Sequence, residues 1–146
     1  MIHVIKGDLL KSDCQVVGHQ VNCQGVMGAG LALAVATEYP MVYHQYKQLL
    51  RERGLHALGM CQLVQVDDDR WVANLFGQNR YGRGKQFTSY PALRSALEQL
   101  RDEAPVGAKI GLPYGIGCGL AGGQWSVVKE MLGEVFVDGD VYLYKL

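Results

Sequence analysis

Residues 112–125 read LPYGIGCGLAGGQW, with five glycines in fourteen positions. The stretch lies between a short apolar run, KIGLP (109–113), and an amphipathic segment, QWSVVKEMLGEVF (124–136). It therefore reads as a loop that leads from a buried strand into a helix, with Trp125 anchoring it from behind. A second junction of the same kind, VNCQGVMGAGLA (21–32), follows CQVVGHQV (14–21), whose β-branched residues mark a strand with an interior place in the sheet. Two glycine-rich passages from strand to helix predict an α/β fold with a ligand site along one sheet edge, because ligands of open α/β sheets bind outside the carboxyl ends of the strands.

The remaining segments fit this scheme. MIHVIKG (1–7) alternates as a strand. From Met27 the spacing of small and apolar residues predicts a helix up to Pro40, and PMVYHQYKQLLRERG (40–54) predicts a second one with proline in its first turn and glycine at its end. MCQLVQV (60–66) and RWVANLFG (70–77) flank Asp67, Asp68 and Asp69 and read as a hairpin. GQNRYGRGKQF (77–87) lacks period and reads as a long surface loop, YPALRSALEQLRDEA (90–104) as an amphipathic helix, and DVYLYKL (140–146) as a closing strand. This order predicts one domain over residues 1–146, with a mixed sheet of about six strands and helices on both faces.

Composition narrows the functional classes. Fourteen basic residues balance fourteen acidic ones, so no net field draws the chain to a nucleic-acid backbone or an anionic membrane, and neither partner is expected. The chain opens on MIHVIKGDLL without a secretion signal, and no apolar run is long enough to span a bilayer; a cytoplasmic location is expected. Cys14, Cys23, Cys61 and Cys118 form no C-x-x-C pair, and His3, His19, His44 and His56 are equally scattered, so no metal site is expected and each reads as structural or surface. The three adjacent aspartates cannot converge as a calcium loop would require and read as a solvated turn.

The glycine loops carry the chemistry. Helix N-termini present unpaired N–H groups and partial positive charge, and they hold phosphate without lysine or arginine. There is no G-x-x-x-x-G-K-[ST], and G-x-G-x-G at 115–119 departs from the dinucleotide fingerprint. One reading is that the glycines only permit tight turns. The sharper one is a diphosphate gripped from two sides. Asp8, after the first strand in KGDLL (6–10), either caps a turn or accepts a hydrogen bond from an exocyclic amine.

Taken together, VIKGDLL, VNCQGVMGAGLA, LPYGIGCGLAGGQW and VYLYKL resemble the macro domain family of ADP-ribose-binding modules, in the branch of the terminal ADP-ribose protein glycohydrolase and the ADP-ribose-1″-phosphate phosphatase. The resemblance implies a three-layer α/β/α sandwich. It implies that Asp8 binds the adenine amine with Leu9 beside it, that Asn22 lies next to the distal ribose, and that Leu146 reaches the nucleoside end. Gly28, Ala29 and Gly30 would form one wall of the diphosphate groove, and Gly115, Ile116, Gly117, Cys118, Gly119, Leu120 and Ala121 the other. The lysine and aspartate to which the glycohydrolase relatives' chemistry is assigned align near Gln78 and at Ala121, and neither residue replaces its counterpart. Asn22 and Gln78 remain the catalytic candidates, with Asn79 and Arg80 placed to meet the group on the ribose. Lys85 reads as a solvated lysine, and Cys118 as a small residue of a phosphate loop.

Two functions follow from this resemblance. One is a hydrolase that removes a phosphate, acetyl or protein-linked group from the distal ribose of ADP-ribose, working without a cofactor and as a monomer on ADP-ribose derivatives or ADP-ribosylated substrates. The other is a non-catalytic module that binds ADP-ribose or a related NAD-derived nucleotide.

Overall fold

The computed structural model describes residues 1–146. Its strands are β1 (Ile2–Lys6), β2 (Val16–Val21), β3 (Cys61–Asp67), β4 (Arg70–Phe76), β5 (Ile110–Pro113) and β6 (Val141–Lys145), and its helices are α1 (Gly30–Glu38), α2 (Pro40–Arg53), α3 (Tyr90–Glu103) and α4 (Trp125–Val135). The strands form one sheet in the order β1-β6-β5-β2-β4-β3. Every neighbouring pair is parallel except β3 and β4, the expected hairpin, where Asp67 pairs with Arg70 and accepts the N–H of Asp69 at 2.8 Å. β2 is interior, pairing with β4 on one side and β5 on the other.

Helices cover both faces of the sheet. On one, Val35 of α1 and Val42 and Tyr46 of α2 are completely buried in a cluster with Val21, Val64, Val72 and Phe76. On the other, Leu93, Leu97 and Leu100 of α3 and Val128 and Leu132 of α4 are completely buried with Leu75, Leu112 and Leu143. The two apolar stripes close the three-layer sandwich that the element order predicts. Ser89 caps α3 by accepting the N–H of Ala92 at 3.3 Å, and Pro91 sits in its first turn where no amide hydrogen is missed. No helix is long and apolar enough to cross a membrane.

One boundary departs from the sequence reading. The helix expected from Met27 starts at Gly30, because Ala29 is extended (φ −150°, ψ 158°) and Gly30 has φ +55°. Residues 27–29 have a helix-like composition, yet their backbone runs along the sheet edge. That edge matters for function. β2, β4 and β5 are parallel neighbours, so the segments that leave them, residues 22–29, 77–89 and 114–124, emerge side by side.

Candidate ligand-binding site

These three segments enclose a cavity of about 660 Å³. It is lined by Asn22, Val26, Gly28 and Ala29 from the first, with Gly30 of α1 next to them, Gln78, Tyr81, Gly82 and Arg83 from the second, and Gly115, Ile116, Gly117, Gly119, Leu120 and Ala121 from the third. His19, Gln20 and Val21 at the end of β2 and Leu31 and Ala32 at the start of α1 also contribute.

The backbone decides what the cavity can hold. In the third segment the N–H groups of Ile116, Cys118, Gly122 and Gly123 bond the loop to itself at 2.9–3.1 Å. Those of Gly115, Gly117, Gly119, Leu120 and Ala121 have no acceptor within the protein, and all five residues line the cavity. Opposite them α1 begins without a side-chain cap. The N–H groups of Gly28, Ala29, Gly30, Leu31 and Ala32 are likewise unpaired, and all five residues again face the cavity. Two arrays of free donors, one at a helix N-terminus, make a site for anionic oxygen.

The side chains reinforce this. Residues 14–37, 70–97 and 104–129, which supply every lining residue, contain no aspartate or glutamate. Arg83 is the one charged side chain in the lining. A protein of zero formal charge thus holds a carboxylate-free pocket rich in donors.

Several lining side chains are engaged in building the walls. Asn22 accepts the Gln24 N–H at 2.9 Å and the Tyr46 hydroxyl at 2.7 Å, and donates to the Val26 carbonyl at 2.9 Å, so it pins the loop between β2 and α1. Gln78 accepts from Gln20 at 2.7 Å and donates to the Arg80 carbonyl at 2.8 Å. His19 is buried, and its Nε2 lies 2.6 Å from Asn74 Oδ1. Because Asn74 gives its own amide hydrogen to Gln62, its Oδ1 must accept, which assigns the proton to His19 Nε2 and leaves Nδ1 bare. Burial, partly opposed by the Asn74 bond, pulls the imidazole down to about 4, so it is neutral near pH 7.

Other residues singled out in the sequence lie outside the cavity. Asp8 accepts the Leu10 N–H at 3.0 Å and caps the short 3-10 turn Leu9–Lys11. Leu9 is buried beneath it with Cys14, Val17 and Tyr144, and Leu146 is exposed at the chain end. Cys118 turns back towards the Ile116 carbonyl, Sγ to O 3.4 Å, and burial raises its thiol pKa, the opposite of nucleophile activation. Lys85 lies over the Phe87 ring in a shallow depression next to the cavity. Trp125 packs on Tyr114 with ring centres 4.8 Å apart.

His19, Gln20, Tyr81 and Arg83 are lining residues that the sequence reading did not assign to the site. The available signal was position: His19 and Gln20 fall at the carboxyl end of an interior strand, where α/β sheets place ligands.

A macrodomain protein from Streptomyces coelicolor matches the whole of this chain and 99% of its own length, at 30% identity and a TM-score of 0.82. The chain belongs to the macrodomain family. A relative from Mycobacterium tuberculosis named DNA ADP-ribosyl glycohydrolase is 30% identical over 99% of this chain, and the macrodomain spans 42% of that protein's length. An ADP-ribose 1″-phosphate phosphatase from Scheffersomyces stipitis is 28% identical over 98% of the macrodomain and 99% of its own chain. No family model matches the sequence.

Proposed function

We propose that this macrodomain binds ADP-ribose and its derivatives with the diphosphate between the N-terminus of α1 and the 114–124 loop, and hydrolyses the phosphate from ADP-ribose 1″-phosphate. The carrying observation is the pair of facing N–H arrays, Gly28 to Ala32 and Gly115 to Ala121 without the internally bonded Ile116 and Cys118. Each hydrogen bond to a charged oxygen contributes about 1.5–3 kcal/mol, so a few of them suffice to hold a diphosphate. The choice of a phosphate over an acetyl group rests on the carboxylate-free walls and on Arg83, which favour a substituent that is itself anionic.

In this reading water attacks the phosphate ester, ADP-ribose leaves with its 1″ oxygen, and inorganic phosphate is released. No aspartate, glutamate, lysine or cysteine lines the cavity, and His19 is neutral with its hydrogen given to Asn74. The rate therefore comes from holding the phosphate in position and from backbone donors and Arg83 that stabilise charge on its oxygens. The same absence of an acid–base side chain favours a second reading, a module that binds ADP-ribose without turning it over.

Phosphate release from ADP-ribose 1″-phosphate, with O-acetyl-ADP-ribose and ADP-ribosylated protein run in parallel, separates the two. Selective release from the first supports the phosphatase. Binding of ADP-ribose with turnover of none leaves the binding module.

A further inference from the structure

We infer that Gln20 is a positioning residue, which fixes the 77–88 segment and the glycine loop as one cradle; this rests on the ADP-ribose reading above. Gln20 is the penultimate residue of β2 and lines the cavity. Its Nε2 donates one hydrogen to Gln78 Oε1 at 2.7 Å and the other to Thr88 Oγ1 at 3.0 Å. Both directions are forced. Gln78 uses its own amide hydrogen on the Arg80 carbonyl, which leaves Oε1 to accept. Thr88 gives its hydroxyl hydrogen to the Gly117 carbonyl at 2.6 Å, so its oxygen accepts from Gln20. A flipped Gln20 amide would set its oxygen against two acceptors.

The relay ends on the loop that carries the free donors. The Gly117 carbonyl also accepts the Gly123 N–H at 2.9 Å, while the Cys118 N–H goes to the Gly115 carbonyl at 2.9 Å. The peptide between Gly117 and Cys118 is thus held on both sides, with the unpaired N–H of Gly117 before it and that of Gly119 after it. Gln20 Oε1 itself is buried without a partner and fills the space where a Cβ on Gly77 would lie. A buried acceptor without a partner is a cost to the fold. The arrangement accepts that cost while giving both Gln20 amide hydrogens to the walls of the site and none to a ligand, so Gln20 acts through Gln78 and Thr88.

Gln20→Met keeps the length of the side chain and removes both donors. Calorimetry with ADP-ribose, read beside thermal unfolding, is expected to show at least a tenfold loss of affinity in Gln20→Met and in Thr88→Val, wild-type binding in Thr88→Ser, and a melting temperature within a few degrees of wild type. The double variant Gln20→Met/Thr88→Val should bind about as well as the weaker single one, because both break one relay. Wild-type affinity in Gln20→Met, or losses that multiply in the double variant, overturns the inference. Should Gln20→Met not fold, equal binding by Thr88→Val and Thr88→Ser overturns it by itself. A wild-type chain that gives no heat overturns the ADP-ribose reading instead and takes this inference with it.

Discussion

The N–H of Phe87 donates to the carbonyl oxygen of Ala121 at 2.7 Å, and the N–H of Thr88 reaches the same oxygen at 3.1 Å. Through this contact the segment after β4 and the loop after β5 become one wall, and the glycines of the loop divide into two groups. A Cβ on Gly122 would lie 2.5 Å from the Lys85 carbonyl oxygen, so Gly122 is needed for the two segments to close on each other. Gly119 faces the cavity, has no positive φ, and an added Cβ there meets nothing within 4 Å. The fold does not require glycine at 119; in the proposed site a diphosphate lying against the loop would.

Gly119→Glu is therefore expected to fold normally and to lose ADP-ribose binding at least a hundredfold, since it sets a carboxylate among the free donors. Calorimetry together with a melting curve checks this. Retained affinity in a folded variant would remove the 114–124 loop from the site.

Asp8 already caps a turn through one carboxylate oxygen, and its other oxygen carries no bond in the structure. If that carboxylate also receives the adenine amine, wild-type protein prefers ADP-ribose over its inosine counterpart, and Asp8→Ala binds the two equally. A preference that survives the substitution places the adenine elsewhere.

The order of ten strands and helices was legible in the sequence because turn residues and helix caps punctuate it: Pro40 and Gly54 bound α2, and Ser89 with Pro91 starts α3. The start of α1 was not, since small apolar residues at 27–29 carry the composition of a helix while Ala29 is extended. The glycine walls could be read from their pattern. Tyr81 and Arg83 could not, because the loop that carries them reaches the site only through the parallel pairing of β2 with β4 and β5, and local periodicity does not specify which strands become neighbours.

His19 gives the fold a pH dependence with a definite sign. Its imidazole titrates near 4 in the folded chain against 6.5 ordinarily. Above pH 6.5 both states are neutral and the fold keeps its full stability; between 6.5 and 4 the unfolded chain takes up a proton that the folded one refuses. Stability should fall by about 3 kcal/mol across that window and level off below it. Urea unfolding of wild type and His19→Gln from pH 8 to 4 checks this, with the flatter profile expected in the variant. Equal slopes would assign the loss to another group.

Arg83 should discriminate between ligands. Arg83→Ala is expected to weaken ADP-ribose 1″-phosphate about tenfold while changing ADP-ribose by less than threefold, and added salt should narrow the gap. Competition binding of the two ligands at low and moderate salt measures it. An equal loss for both would place Arg83 on the diphosphate.

The most direct measurement is a titration of the amide resonances of the ¹⁵N-labelled chain with ADP-ribose. The unpaired N–H groups of Gly28 to Ala32 and of Gly115, Gly117, Gly119, Leu120 and Ala121 should move most, and those of Ile116 and Cys118, bonded within the loop, far less. Resonances that stay in place at millimolar ADP-ribose, or that move only outside these two walls, would contradict the site.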